Sequence, residues 1–159
     1  MRTGRILVLL GGAALLGCAA EKPAGPQQKT FDVTLSKAAS ATPCAAAGAN
    51  AAGAATVTLA ADDSTVSVTV TYSGLSGDPT AAHIHAGAPG ANGPPVLPFS
   101  APLNSPFSKV FTPADYIAAS GAPADFAAFV AGLRAGTGGG YINIHTAACK
   151  AGEIRGDIK

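Results

Sequence analysis

Tyr141-Ile142-Asn143-Ile144-His145-Thr146, followed after a short break by Gly152-Glu153-Ile154-Arg155-Gly156-Asp157-Ile158, is the stretch from which the rest of the chain can be read. Side chains of an extended chain alternate between the two faces of a sheet. Tyr141, Asn143 and His145 therefore share one face, and Ile142 and Ile144 the other. Glu153 and Arg155 share a face in the same way. A strand over residues 141–145, a turn over 146–152 and a last strand over 153–158 make a hairpin.

Upstream, Ala82-His83-Ile84-His85-Ala86-Gly87 repeats the pattern, with both histidines on one face and Ile84 opposite. Val66 to Tyr72 alternates without a break and is β-branched at nearly every position. Thr56 to Leu59 precedes it across the turn Ala61-Asp62-Asp63-Ser64, so these two form a second hairpin. Phe31 to Leu35, Ala81 to His85 and Phe107 to Phe111 read as further strands. Residues 42–54 and 87–98 read as loops, the second with its tight point at Ala91-Asn92-Gly93. Thr112-Pro113 opens a short helix running to about Ala119. Residues 122–133 place Phe126, Phe129, Val130 and Leu133 at helical spacing, with Gly136 beyond the end. The expected fold is all-β, with one or two short helices.

All three histidines, His83, His85 and His145, lie in these strands and fall on the same outer side if the isoleucines mark the core. Neutral imidazoles are common ligands of zinc and copper, and copper outcompetes other divalent ions at nitrogen donors. Three ligands about 2 Å from one metal lie within ~4 Å of one another, so convergence of the rings favours a metal site, whereas rings that are scattered or bonded to backbone carbonyls favour histidines that merely pin loops. Asn143 and Tyr141 flank His145 and either orient an imidazole or act as ordinary cross-strand partners. Arg155 either draws an anion toward a metal or forms a same-face ion pair with Glu153, and Glu153 is an alternative oxygen ligand. Gly156 permits a bulge or a close backbone approach.

These two stretches also resemble the CHRD domain, a module named from chordin and common in bacterial secreted proteins. The matching residues are His83-Ile84-His85 before a Gly/Pro-rich loop, then Tyr141-Ile142-Asn143-Ile144-His145-Thr146 and the closing Gly152-Glu153-Ile154-Arg155-Gly156. The resemblance spans residues 30–159 and implies an immunoglobulin-like or superoxide-dismutase-like antiparallel β-sandwich. In chordin the module belongs to a growth-factor-binding protein. The His-x-His strand is similar to the copper-binding strand of copper/zinc superoxide dismutase, although that enzyme needs more histidines than the three present here.

The N-terminus reads as an export signal. Arg2 and Arg5 precede an apolar run from Ile6 to Leu16 that is too short to span a membrane. Leu15-Leu16-Gly17-Cys18 resembles the lipobox of bacterial lipoproteins, in which the cysteine is lipidated. Residues 1–18 are then a leader, 19–29 a flexible tether and 30–159 one folded domain. Such a protein is exported and lipid-anchored to the bacterial cell envelope, at the outer membrane or cell surface. Its partners are the membrane, through the anchor, and a protein or glycan ligand. Lipidation of Cys18 leaves Cys44 and Cys149, which an oxidising compartment favours as a disulfide. Two free thiols, or Cys149 as a soft ligand beside His145, are the alternatives.

Charged residues make up 12% of the chain and the net charge is +1, so no basic stripe for nucleic acid is present. No phosphate-binding loop and no nucleophile elbow occurs. Three readings of function follow. The first is an anchored, non-enzymatic binding module holding copper or zinc on three histidines. The second is a superoxide-dismutase-like copper enzyme with Arg155 steering the anion. The third is a structural or adhesive interaction domain.

Overall fold

The computed structural model describes residues 25–159. The leader, the lipobox Cys18 and the first part of the tether lie outside the described residues. Eight strands occur in the order β1 (Lys29–Ser36), β2 (Ala52–Leu59), β3 (Val66–Ser73), β4 (Pro79–Ala86), β5 (Pro95–Pro98), β6 (Phe107–Phe111), β7 (Gly140–Thr146) and β8 (Ile154–Ile158). One helix, α1 (Phe126–Ala135), precedes β7.

Every registered strand pair is antiparallel, and the spatial order is β5-β4-β7-β8-β1-β2-β3-β6. β1 and β8 share a single registered pair, Ser36 opposite Arg155, whereas β1 and β2 pair along all eight residues. That thin seam divides the sheet into two four-stranded halves, the layers of an all-β sandwich. Gly156 sits at the seam, where a Cβ would come 2.5 Å from the Thr34 carbonyl oxygen and from Val33 Cγ1. The close approach expected at this glycine is thus made against β1.

The inner faces of both halves meet in one apolar cluster. Val33, Leu35, Val57, Leu59 and Val68 come from one layer, and Ile84, Ile142, Ile144 and Ile154 from the other. α1 adds Phe126, Phe129, Val130 and Leu133. The apolar stripe of the helix therefore packs on the sheet, as its spacing implied.

Some boundaries differ from the sequence reading, each for a local reason. α1 starts at Phe126 instead of Ala122, because the Asp125 carboxylate accepts the Ala128 N–H at 2.8 Å and caps the helix there. Its end is set by Gly136 at φ 70°. The helix expected from Thr112 to Ala119 is a single 3-10 turn, Pro113–Asp115. Beyond it the chain is drawn out along β5, with the Ile117 N–H donating to the Val96 carbonyl at 2.8 Å. The end of the Gly87–Pro98 loop forms β5, where Val96 and Leu97 are fully buried. No helix among the described residues is long and apolar enough to cross a membrane.

Candidate metal centre

The three histidines lie on the outward face of β4 and β7. Across the β4–β7 ladder, His83 faces Asn143, His85 faces Tyr141 and Ala81 faces His145. His83 and His145 are therefore diagonal neighbours, a separation that side chains of this length can bridge. His83 Nδ1 lies 3.2 Å from His145 Nε2. His85 stacks on the Tyr141 ring with centroids 4.7 Å apart and planes 14° apart. One ring nitrogen from each histidine falls within 4.8 Å of the other two.

The remaining ring nitrogens are held by backbone carbonyls. His85 Nδ1 lies 2.8 Å from the Gly93 carbonyl oxygen, and His145 Nδ1 lies 2.9 Å from that of Lys150. A carbonyl only accepts, so both Nδ1 atoms carry the hydrogen and both Nε2 atoms keep a lone pair in the neutral rings. His83 Nδ1–H then donates to His145 Nε2. His85 Nε2 is buried with no partner, and so is Asn143 Oδ1. Both orphans are acceptors, and leaving such a group unmet costs about 1–3 kcal/mol.

Electrostatics favour the ligating form. Burial, reinforced by repulsion from His145 and His85, pushes the pKa of His83 down to about 4. Burial also lowers that of His85; the Gly93 carbonyl opposes the shift, while His145 and Arg155 add to it. Neutral imidazole is the form that binds metal. The 4.8 Å spread exceeds the ~4 Å that two donors of one ion can span, so binding requires the rings to close by roughly 1 Å. His83 and His145 are only half-buried, and His83 is joined to the His145 ring, whereas His85 and His145 are each held by a loop carbonyl.

The face is not the open surface that alternation alone suggests. Tyr141, Asn143, His85 and Arg155 are all buried, roofed by residues 87–94 and 147–153. Asn143 Nδ2 donates to the Ala151 carbonyl at 3.1 Å and so holds the second loop. The expected Glu153–Arg155 ion pair does not form. Arg155 pairs with Asp157 at 2.7 Å and also points to the Ala88 and Ala91 carbonyls, so four of its five N–H groups are met inside the fold, and the side chain is buried away from an incoming anion. Glu153 is fully buried, and its two oxygens accept from the Gly48 and Ser76 N–H groups and the Ser76 and Thr146 hydroxyls at 2.6–2.9 Å. It is a loop anchor instead of a metal ligand. Burial pushes its pKa up, but these hydrogen bonds outweigh burial and hold the carboxyl below its ordinary range. Cys149 is bonded to Cys44, which removes it as a ligand.

Sequence reasoning missed the groups that support the rings. The carbonyls of Gly93 and Lys150 carry no side-chain signature. The Tyr141 hydroxyl both donates to the Gly93 carbonyl and accepts its N–H, at 3.1 Å each. Two glycines were the legible clue. A Cβ on Gly93 would run into the Ala86 carbonyl, and one on Gly152, at φ 116°, would run into the Asn143 carboxamide. Each roofing loop thus approaches the sheet closely at a glycine.

No curated protein and no solved structure gives a significant match to this chain. The family model of the CHRD domain matches residues 31–158, from the third residue of β1 to the end of β8. The strands that carry the histidines and the loops that roof them all fall inside that span, and the chain belongs to the CHRD family.

Proposed function

We propose that this protein is an extracytoplasmic binding module, lipid-anchored to the bacterial envelope through Cys18, that holds one copper or zinc ion on His83, His85 and His145. The observation that carries the metal reading is the buried Nε2 of His85, a lone pair with no partner beside two other imidazoles. The carbonyls on the Nδ1 atoms of His85 and His145 pin loops, as a structural role alone requires, but they leave the Nε2 lone pairs in place, an arrangement also common behind metal-binding histidines. Membership of the CHRD family and the Cys44–Cys149 disulfide support an exported binding module. The superoxide-dismutase-like enzyme is the weaker reading, because the arginine it needs for steering is buried and bonded to Asp157 and to the Ala88 and Ala91 carbonyls.

Calorimetric titration of the purified protein with copper and with zinc tests the proposal, alongside His85→Ala. One ion per chain is expected, with affinity reduced at least about 100-fold in the variant, which is roughly 2.7 kcal/mol. Absence of binding by the wild-type protein would sink the metal reading and leave a module for protein or glycan ligands.

A further inference from the structure

Arg155 is the largest fully buried side chain of the described residues, with 1% of its surface exposed. A guanidinium this deep is kept only where its charge and its N–H groups are met. Nε and Nη2 donate to Asp157 Oδ1 at 3.0 and 2.7 Å. Nη1 donates to the Ala91 carbonyl at 2.8 Å, and Nη2 reaches that of Ala88 at 3.4 Å. The guanidinium carbon lies 3.4 Å from the centre of the Tyr141 ring, whose other neighbour is the His85 imidazole. Ala88 and Ala91 belong to the loop whose Gly93 carbonyl takes the Nδ1–H of His85.

Arg155 therefore meets His85 by two routes, one through the Tyr141 ring and one through the loop. We propose that Arg155 is a positioning residue of the metal site: it fixes the loop over residues 87–94 and the Tyr141 ring, and through them the orientation and tautomer of His85. This rests on the metal reading above. Asp157 neutralises the guanidinium, so its contribution is the geometry of the fork. A lysine would retain the charge and lose the simultaneous reach to Asp157, Ala88 and Ala91.

Replacing a buried ion pair by residues of similar size often leaves stability little changed, which allows positioning to be separated from folding. The test is the double variant Arg155→Met/Asp157→Asn beside wild type, with Arg155→Lys as a second variant should the first not fold. Zinc affinity and the imidazole 15N shifts of the metal-free protein are measured for each. The expected result is a 10- to 100-fold loss of zinc affinity in a folded variant. His85, a single Nδ1–H tautomer in wild type, becomes a mixture. A folded variant that retains both wild-type affinity and a single His85 tautomer would overturn the proposal. If wild type binds no zinc or copper, the metal reading fails by itself, and the tautomer shifts still decide whether Arg155 orients His85.

Discussion

The outer faces of the two layers are written in the same alternation and meet different fates. On β1, β2 and β3 the outward residues Asp32, Thr34, Ala54, Thr56, Thr69 and Thr71 are exposed, and Ser36, Thr58 and Ser67 are half-buried. On β4, β7 and β8 they are His83, His85, Tyr141, Asn143, His145, Arg155 and Asp157, and most are buried. The period of two assigns residues to a face and says nothing about what covers it. The second face is covered because two loops fold back over it, each coming close at a glycine. A covered polar face must have its donors and acceptors met. Here the loops' own carbonyls meet the donors and leave the acceptors His85 Nε2 and Asn143 Oδ1 open, which orients the imidazoles as a by-product of closing the roof.

Glu153 ties the second roofing loop to the loops before β2 and β4, and its removal is the largest expected break in the contrast. Glu153→Ala leaves the Gly48 and Ser76 N–H groups without an acceptor and cuts the tie between three loop segments. Loss of about 3–5 kcal/mol is expected in denaturant unfolding. A cost below about 1 kcal/mol would mean that the disulfide alone holds the loops in place. Alanine at a comparably placed threonine of the open face has no such network to break.

Acidification between about pH 6.5 and 4 should act on the covered face through its histidines. The pKa of His83 falls from 6.5 unfolded to about 4 folded, because burial and its two histidine neighbours disfavour the imidazolium. Between those values the unfolded chain binds the extra proton, so stability rises as pH increases from about 4 to 6.5 and falls on acidification across the same window. Glu153 acts in the same direction lower down: its depressed pKa makes its contribution present above its unfolded value and lost as pH falls through the folded one. Melting temperatures of the metal-free protein across pH 4–7, with and without His83→Ala, separate the two. The variant should reduce the slope above pH 5, with His85, whose pKa burial also lowers, supplying the remainder, and leave the acid limb intact. An unchanged slope would show that His83 is as well solvated folded as unfolded.

The sheet and the disulfide were legible because each rests on a local or countable signal. Alternation at Val66–Tyr72 and Tyr141–His145 identifies strands before any partner is known, and two cysteines beyond the leader favour pairing. The shared phase of the three histidines was legible for the same reason. The roles of Glu153 and Arg155 were not. Their partners include Gly48, Ser76, Ala88 and Ala91, backbone and hydroxyl groups 64 to 105 residues away along the chain and brought together only by the tertiary fold. A same-face pair two residues apart looked sufficient from the sequence, yet each side chain turned to a different loop.

The smallest expected effect sharpens the comparison most cleanly. Thr69 lies on β3 opposite Thr56 on one side and Ser108 on the other, with its side chain in water. Asn143 lies on β7 in the matching position, between His83 and Arg155, with its side chain under the roof. Thr69→Ala removes only β-propensity and some cross-strand contact, so a change within about 0.5 kcal/mol is expected. Asn143→Ala takes the Nδ2 donor from the Ala151 carbonyl and should cost about 1–3 kcal/mol. Both values come from the same denaturant titration. Equal costs would show that water reaches the Ala151 carbonyl once Asn143 is shortened, making the second loop a loose cover over His145 instead of a fixed part of the site.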